Sequence, residues 1–150
     1  MPITFTPLFM ERVWGGRRLE TLLGKPLPAG VPIGESWELV DREEAQSVVA
    51  GGPWKGRTLG ELWSREREAV FGARYAAMKG RFPLIIKLLD AAEVLSVQVH
   101  PPTAVADELC GEAKTEMWVV LDAEPGAALY AGLKAGVTRE RFEAALRRGE

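Results

Sequence analysis

The stretch that decides the fold is LSVQVHP, residues 95–101. Apolar and polar residues alternate along it, which is the pattern of a strand whose two faces differ. One face carries Leu95, Val97 and Val99, and the other carries Ser96, Gln98 and His100. Pro101 and Pro102 follow and end the strand. We therefore predict a strand over 93–100 with three polar groups in a row. Such a row is ordinarily the solvent face of an antiparallel sheet.

Polar residues in two other apolar segments favour a different interpretation of that row. Lys87 interrupts the otherwise apolar strand predicted over 83–90, and Lys114-Thr115-Glu116 opens a strand predicted over 116–122. The polar groups then lie at corresponding places on three neighbouring strands, where burial is costly unless they are paired or bind something. A cation held by Gln98, His100 and Glu116 would satisfy them. Lys87 and Lys114 would then meet an anionic or oxygen-rich ligand.

The remaining segments predict a mainly β fold with a few short helices in one domain, 1–150. Further strands are expected over 36–40, 46–50 and 127–132. Thr58-x-x-Glu61 is a capping box that begins a helix running to about residue 70. The charged residues Arg65–Glu68 of this helix are expected to form a solvated face. A short helix is expected over 103–109, and a last one from Thr138 to a C-cap at Gly149.

Composition excludes several classes of function. The net charge of -2 offers no positive excess for nucleic acid or for an anionic membrane surface. We expect no membrane helix and no export signal, because apolar runs are short and the first residues lack a basic segment before an apolar one. A single cysteine, Cys110, excludes an intrachain disulfide and suggests the cytoplasm. A single histidine, His100, excludes a three-His or HExxH metal site within one chain.

Several strings resemble the type I mannose-6-phosphate isomerases, the metal-dependent phosphomannose isomerases of the cupin superfamily. The most specific are LSVQVHP at 95–101 and KTEMW at 114–118, with FPLIIKLLDA at 82–91 before them. ERVWGGRRL at 11–19, GESWEL at 34–39 and GRTLGELW at 56–63 agree with the shorter bacterial branch. The resemblance covers essentially the whole chain. It implies a cupin-type fold, a jelly-roll or double-stranded β-helix.

The resemblance also implies a zinc site. In this family one zinc ion is held by the Gln and His of the first motif, the Glu of the second, and a further His far downstream. Gln98, His100 and Glu116 carry over as ligands. The fourth ligand does not, because no histidine follows His100. Family members continue through a second cupin half, so we expect residues 1–150 to be the N-terminal part, with the C-terminal half absent.

The implied reaction interconverts mannose 6-phosphate and fructose 6-phosphate by zinc-assisted proton transfer through a cis-enediolate. By resemblance, Lys114 is the catalytic residue that polarises a sugar oxygen or moves a proton. Residues expected to bind the sugar phosphate are Ser96, Lys87, Trp14 and Glu35, the last two as pocket wall. The missing groups could come from the absent half or from a second chain.

Two alternatives stay open at this point. The chain could be a small cupin that binds a metal or a sugar phosphate without isomerising it. It could also be a non-catalytic remnant that pairs with another chain along an uncovered sheet edge.

Overall fold

A computed structural model describes residues 2–149, and the chain divides into two compact units between Leu95 and Ser96. The strands are β1 (Phe5–Thr6), β2 (Leu8–Gly16), β3 (Ile33–Leu39), β4 (Val48–Val49) and β5 (Ile86–Leu89). The α-helices are α1 (Arg18–Thr21), α2 (Leu59–Arg65), α3 (Arg67–Phe71) and α4 (Arg139–Arg148). Single turns of 3-10 helix cover Ala73–Tyr75 and Thr103–Val105. None of the helices in 2–149 is long and apolar enough to cross a membrane.

The first unit contains both sheets, and all strand pairs in them are antiparallel. β2, β3 and β5 form one sheet in that order, and β1 pairs with β4. Phe9, Ser36 and Leu88 are cross-strand neighbours on one face, where Phe9 and Leu88 pack on the core residues Leu19, Leu27 and Ile33. The opposite face carries a second row, in which Trp37 lies between Leu8 and Lys87. The predicted strands over 36–40 and 83–90 thus correspond to β3 and β5.

The predicted capping box at Thr58 is confirmed, but the helix that follows it is shorter than expected. Glu61 donates its backbone N–H to the Thr58 side chain, and the Glu61 carboxylate accepts the Thr58 N–H in return. Glu66 leaves helical geometry (φ -123°, ψ 22°) and ends α2, so the prediction of one helix to residue 70 is wrong. Glu66 pairs with Arg57 at 3.0 Å. The charged run is therefore partly packed rather than solvated.

The break in this helix lets an aromatic cluster form around its buried tryptophan. Phe71, Tyr75 and Phe82 surround Trp63 with ring centroids 5.1–6.1 Å away. The Arg67 guanidinium lies over the Trp63 ring at 4.4 Å, and its Nε donates to the Trp63 carbonyl. Apolar contact and a cation–π interaction thus bind α3 to α2.

In the second unit the last helix forms as predicted, and the strands do not. Thr138 caps α4, and Gly149 ends it in the left-handed region at φ 73°. Segments 93–100, 116–122 and 127–132 belong to no strand in the described part of the chain, and the 103–109 helix is reduced to the turn Thr103–Val105. Alternation selects which side chains share a face, but a strand also needs a neighbour to accept and donate its ladder hydrogen bonds. These predictions of strands are therefore wrong for this structure.

Candidate functional site

Three of the predicted site residues meet in the second unit. The Lys114 Nζ lies 2.7 Å from Glu116 Oε1 and 3.5 Å from His100 Nε2. His100 Nε2 is 3.8 Å from Glu116 Oε2. The His100 and Lys114 side chains are each 27% exposed, so the group is neither buried nor fully solvated. An imidazole, a carboxylate and an ammonium thus converge although 16 residues separate the first from the last.

Two open depressions are lined by members of this group. His100 lines one of about 460 Å³, together with Leu109 and Gly111. Lys114 lines a smaller one of about 150 Å³. Pro101 and Pro102 line both. Both the imidazole and the ammonium therefore line surface depressions that a small polar molecule could enter.

The other predicted residues of this unit, Ser96 and Gln98, are exposed. Within 2–149, no hydrogen bond joins the Gln98 amide to His100 or Glu116. The described residues also hold no group of three or more His, Cys, Asp and Glu that could bind a metal. His100 and Glu116 supply only two such residues, and the third predicted donor is an amide. The predicted roles of Ser96 and Gln98 stay predictions.

The predicted residues of the first unit lie in its sheet. Glu35 is buried in β3, and its Oε2 accepts from Arg12 Nη2 at 2.9 Å and from Trp37 Nε1 at 2.8 Å. Lys87 Nζ lies 3.7 Å from Glu35 Oε1 and 4.5 Å from the centre of the Trp37 ring. These residues belong to the face of the sheet opposite the core cluster. A charged, hydrogen-bonded network therefore occupies the face of the sheet that points away from the core cluster.

Trp14 lies near this network but is held mainly by backbone contacts. Its carbonyl accepts from the N–H groups of Ala92 and Glu93, at 2.9 and 3.3 Å. Its ring packs against Gly34, where a Cβ would lie only 2.5 Å from the Trp14 ring. Gly34 is thus required for the close approach of β2 and β3 at this point.

Sequence reasoning missed two members of the network, Arg12 and Trp37. The signal was available for one of them: Trp37 is two residues after Glu35 and so shares its strand face. For Arg12 the signal is absent, because the pairing of β2 with β3 shifts register after Met10 and again after Glu11, so simple alternation does not place it.

Comparison with known proteins gives consistent matches. The model of the catalytic domain of type I phosphomannose isomerase matches residues 3–125. The mannose-6-phosphate isomerase ManA of Bacillus subtilis is 41% identical over 152 aligned residues, which cover 99% of this chain. A mannose-6-phosphate isomerase of Streptococcus mutans is 41% identical over 135 residues, 86% of the chain. The crystal structure of the Bacillus subtilis mannose 6-phosphate isomerase matches with a TM-score of 0.62, at 44% identity over 71% of the chain.

These matches confirm the expected fold, which is mainly β and cupin-type with a few short helices. They also show how much of each relative's length the chain covers. The chain spans less than half of the relatives it matches, 46% of the Bacillus subtilis protein and 41% of the Streptococcus mutans protein. It covers 32% of the matched crystal structure.

Proposed function

The chain belongs to the type I phosphomannose isomerase family, and from that premise we propose that it takes part in the interconversion of mannose 6-phosphate and fructose 6-phosphate. The matched relatives carry the name mannose-6-phosphate isomerase. This reaction moves a proton between C1 and C2 through a cis-enediolate. A site for it must hold a movable proton and stabilise negative charge on two sugar oxygens.

The observation that carries the proposal is the convergence of His100, Lys114 and Glu116. Lys114 is the proton-carrying or oxygen-polarising group in this proposal. Its contact with the Glu116 carboxylate at 2.7 Å holds the ammonium beside the imidazole, 3.5 Å from His100 Nε2. An ammonium fixed in this way can donate a hydrogen bond to a sugar oxygen without first ordering a long side chain.

We propose zinc as the cofactor, because two of the three donors, on His100 and Glu116, lie at a spacing compatible with it. Two zinc–ligand bonds of about 2.0–2.2 Å at a tetrahedral angle separate the donor atoms by about 3.4 Å. His100 Nε2 and Glu116 Oε2 are 3.8 Å apart, and a positive charge already contacts both side chains in the form of the Lys114 ammonium. Gln98, His100 and Glu116 would hold the ion. When bound, it would act as a Lewis acid that stabilises charge developing on the sugar oxygens.

Other residues are assigned to the substrate in this proposal. Ser96 and Lys87 bind the phosphate through a hydroxyl donor and a cation, and Trp14 and Glu35 form the pocket wall. Lys87 suits this role because it is cationic and partly exposed. Ser96 suits it because its hydroxyl is open to solvent.

The source of the fourth metal ligand and the cellular location of the protein are also part of this proposal. Because this chain spans under half of its relatives, we propose that further chain, in the same polypeptide or another, completes the site. A cytoplasmic location goes with the proposal, since Cys110 is free and exposed.

The first experiment measures metal content and turnover together in the protein as its gene encodes it. We expect about one zinc ion per chain and conversion of mannose 6-phosphate in a coupled assay. His100→Ala, Glu116→Ala and Gln98→Ala should each lose zinc, and His100→Ala should lower kcat/KM by at least about a hundredfold, because removing a ligand empties the site. Lys114→Met should lower kcat and retain zinc.

Glu108→Gln is the matched control, because Glu108 is an exposed carboxylate of the same unit. It should keep both zinc and turnover. Unchanged zinc in all three ligand variants would contradict the metal site. Zinc that is retained without any turnover would contradict isomerisation and favour a cupin that only binds a metal or sugar phosphate.

A further inference from the structure

We propose that Arg12 and Trp37 are positioning residues that fix the Glu35 carboxylate and, through it, the Lys87 ammonium on the polar face of β3. The inference rests on the proposed function, in which Glu35 and Lys87 contact the sugar phosphate. It adds two residues to that site and assigns each a task.

The two donors on Glu35 share one oxygen. Arg12 Nη2 and Trp37 Nε1 both donate to Oε2, at 2.9 and 2.8 Å. A carboxylate oxygen has about two lone-pair positions, so these bonds occupy Oε2. Oε1 is left on the side of Lys87, whose Nζ is 3.7 Å away. The orientation of the carboxylate is therefore set by Arg12 and Trp37.

Trp37 contacts both charged groups with different parts of its indole. The N–H edge donates to Glu35, while Lys87 Nζ lies 4.5 Å from the ring centre. Trp37 and Lys87 are cross-strand partners in the β3–β5 pair, which brings their side chains together on one face. A cation at this distance is attracted by the electron-rich ring face. The tryptophan thus couples the location of the ammonium to that of the carboxylate.

Arg12 is itself held by the backbone beneath it. A Cβ on Gly34 would lie 2.6 Å from the Arg12 Cβ, so the arginine stem rests directly on β3. Its guanidinium then reaches the buried carboxylate, whose side chain is only 11% exposed. A carboxylate removed from water needs charge-assisted donors, and Arg12 supplies the ionised one on Oε2.

The kinetic test compares Arg12→Gln, Arg12→Lys and Trp37→Phe with Arg57→Gln. Arg57 is a matched control because it also pairs with a partly buried glutamate, Glu66, at 3.0 Å, but both residues flank α2 and lie outside β3. We expect Arg12→Gln and Trp37→Phe to raise KM for mannose 6-phosphate about tenfold and to change kcat by less than about threefold. Arg12→Lys should restore part of the loss, and Arg57→Gln should leave both constants unchanged.

A double variant tests whether Arg12 acts through Glu35. The Arg12→Gln/Glu35→Gln protein should raise KM no more than about twofold beyond Glu35→Gln alone, because both changes remove the same interaction. Additive effects, or a loss in kcat with KM unchanged, would overturn the inference.

A spectroscopic test separates this inference from the proposed function. The indole N–H resonance of Trp37, identified by its loss in Trp37→Phe, should shift in Glu35→Gln and in Arg12→Gln but not in Arg57→Gln. If the parent protein shows no isomerase activity, the proposed function fails and this measurement still decides the positioning role. A Trp37 resonance that shifts in neither Glu35→Gln nor Arg12→Gln would overturn the positioning role.

Discussion

Similar apolar sequence patterns form paired strands in the first unit of this chain and no strands in the described part of the second unit. Residues up to Leu95 form paired strands, a buried apolar cluster and a capped helix, and their charged network is held by sheet geometry. Residues from Ser96 on contain the converging His100, Lys114 and Glu116, but their apolar segments are unpaired and exposed. Val99 and Val120, for example, are 84% and 67% exposed. Alternating polarity alone is therefore insufficient for a strand, which also requires a partner.

The largest expected effect is on the free energy of unfolding, when one leucine in each unit is replaced by alanine. Leu62 is fully buried and Leu121 is 67% exposed. Leu62→Ala should lower the free energy of unfolding by about 2–5 kcal/mol, because it leaves a cavity. Leu121→Ala should change it by less than about 0.5 kcal/mol.

Urea unfolding of both variants measures this difference, with tryptophan fluorescence as the signal for Leu62→Ala and α4 helicity as the signal for Leu121→Ala. An equal loss in the two variants would break the comparison. It would mean that Leu121 is covered in the protein as the cell makes it.

A smaller effect comes from the two threonine caps. Thr58 belongs to a complete capping box on a helix that buries Leu59 and Trp63. Thr138 accepts the Arg141 N–H at 3.4 Å without the reciprocal bond of a capping box, and α4 has no buried residue. Thr58→Ala should cost about 1 kcal/mol, and Thr138→Ala should cost about half of that or less.

Hydrogen exchange measures the protection of the α2 and α4 amides separately, and so reports on each cap by itself. Protection should fall across α2 in the first variant and only in the first turn of α4 in the second. Thr58→Ser and Thr138→Ser are the controls, since serine keeps the hydroxyl. Equal losses of protection in the two alanine variants would contradict a difference between the caps.

The smallest expected effect is a pH dependence of α2. The Thr58 backbone N–H donates to Glu61 and is the main cause that lowers the pKa of Glu61 below its ordinary value of 4.5. A carboxyl whose pKa is lower in the folded state stabilises the fold above its unfolded value and loses this stabilisation as pH falls through the folded one. Helix stability should therefore decline slightly as the pH falls below the ordinary carboxyl pKa of 4.5 and through the lower folded-state value.

Glu61→Gln is the control for this decline. Glutamine can still accept the Thr58 N–H but does not titrate in this range, so the variant should show a smaller acid-dependent change in α2 protection. An identical acid profile in parent and variant would remove Glu61 as the cause.

Much of the first unit was predictable from local sequence because local interactions decide it. The Thr58 capping box needs only residues three apart, and β5 lies in an apolar run that only Lys87 interrupts. The break at Glu66 was not predictable, because it depends on Arg67 packing over Trp63 and on the pair between Glu66 and Arg57.

For the candidate site, the sequence singled out His100, Glu116 and Lys114, and the structure brings these three together. It also singled out Glu35 and Lys87, which lie 3.7 Å apart. The assignment of Gln98 and Ser96 to the same site stays a prediction. Arg12 went unrecognised because its contact with Glu35 crosses from β2 to β3, whereas the link from Trp37 to Glu35 could have been inferred from their spacing.

The sequence by itself determined the family, the chemistry of the candidate ligands and the helix caps. Each of these can be recognised from short motifs, in which particular residue types recur at fixed spacings. Only the tertiary structure decided that Glu35 is buried under two donors on a single oxygen and that Lys87 lies over Trp37. The physical reason is that such contacts depend on strand register and on bulges, which bring together residues far apart in the chain.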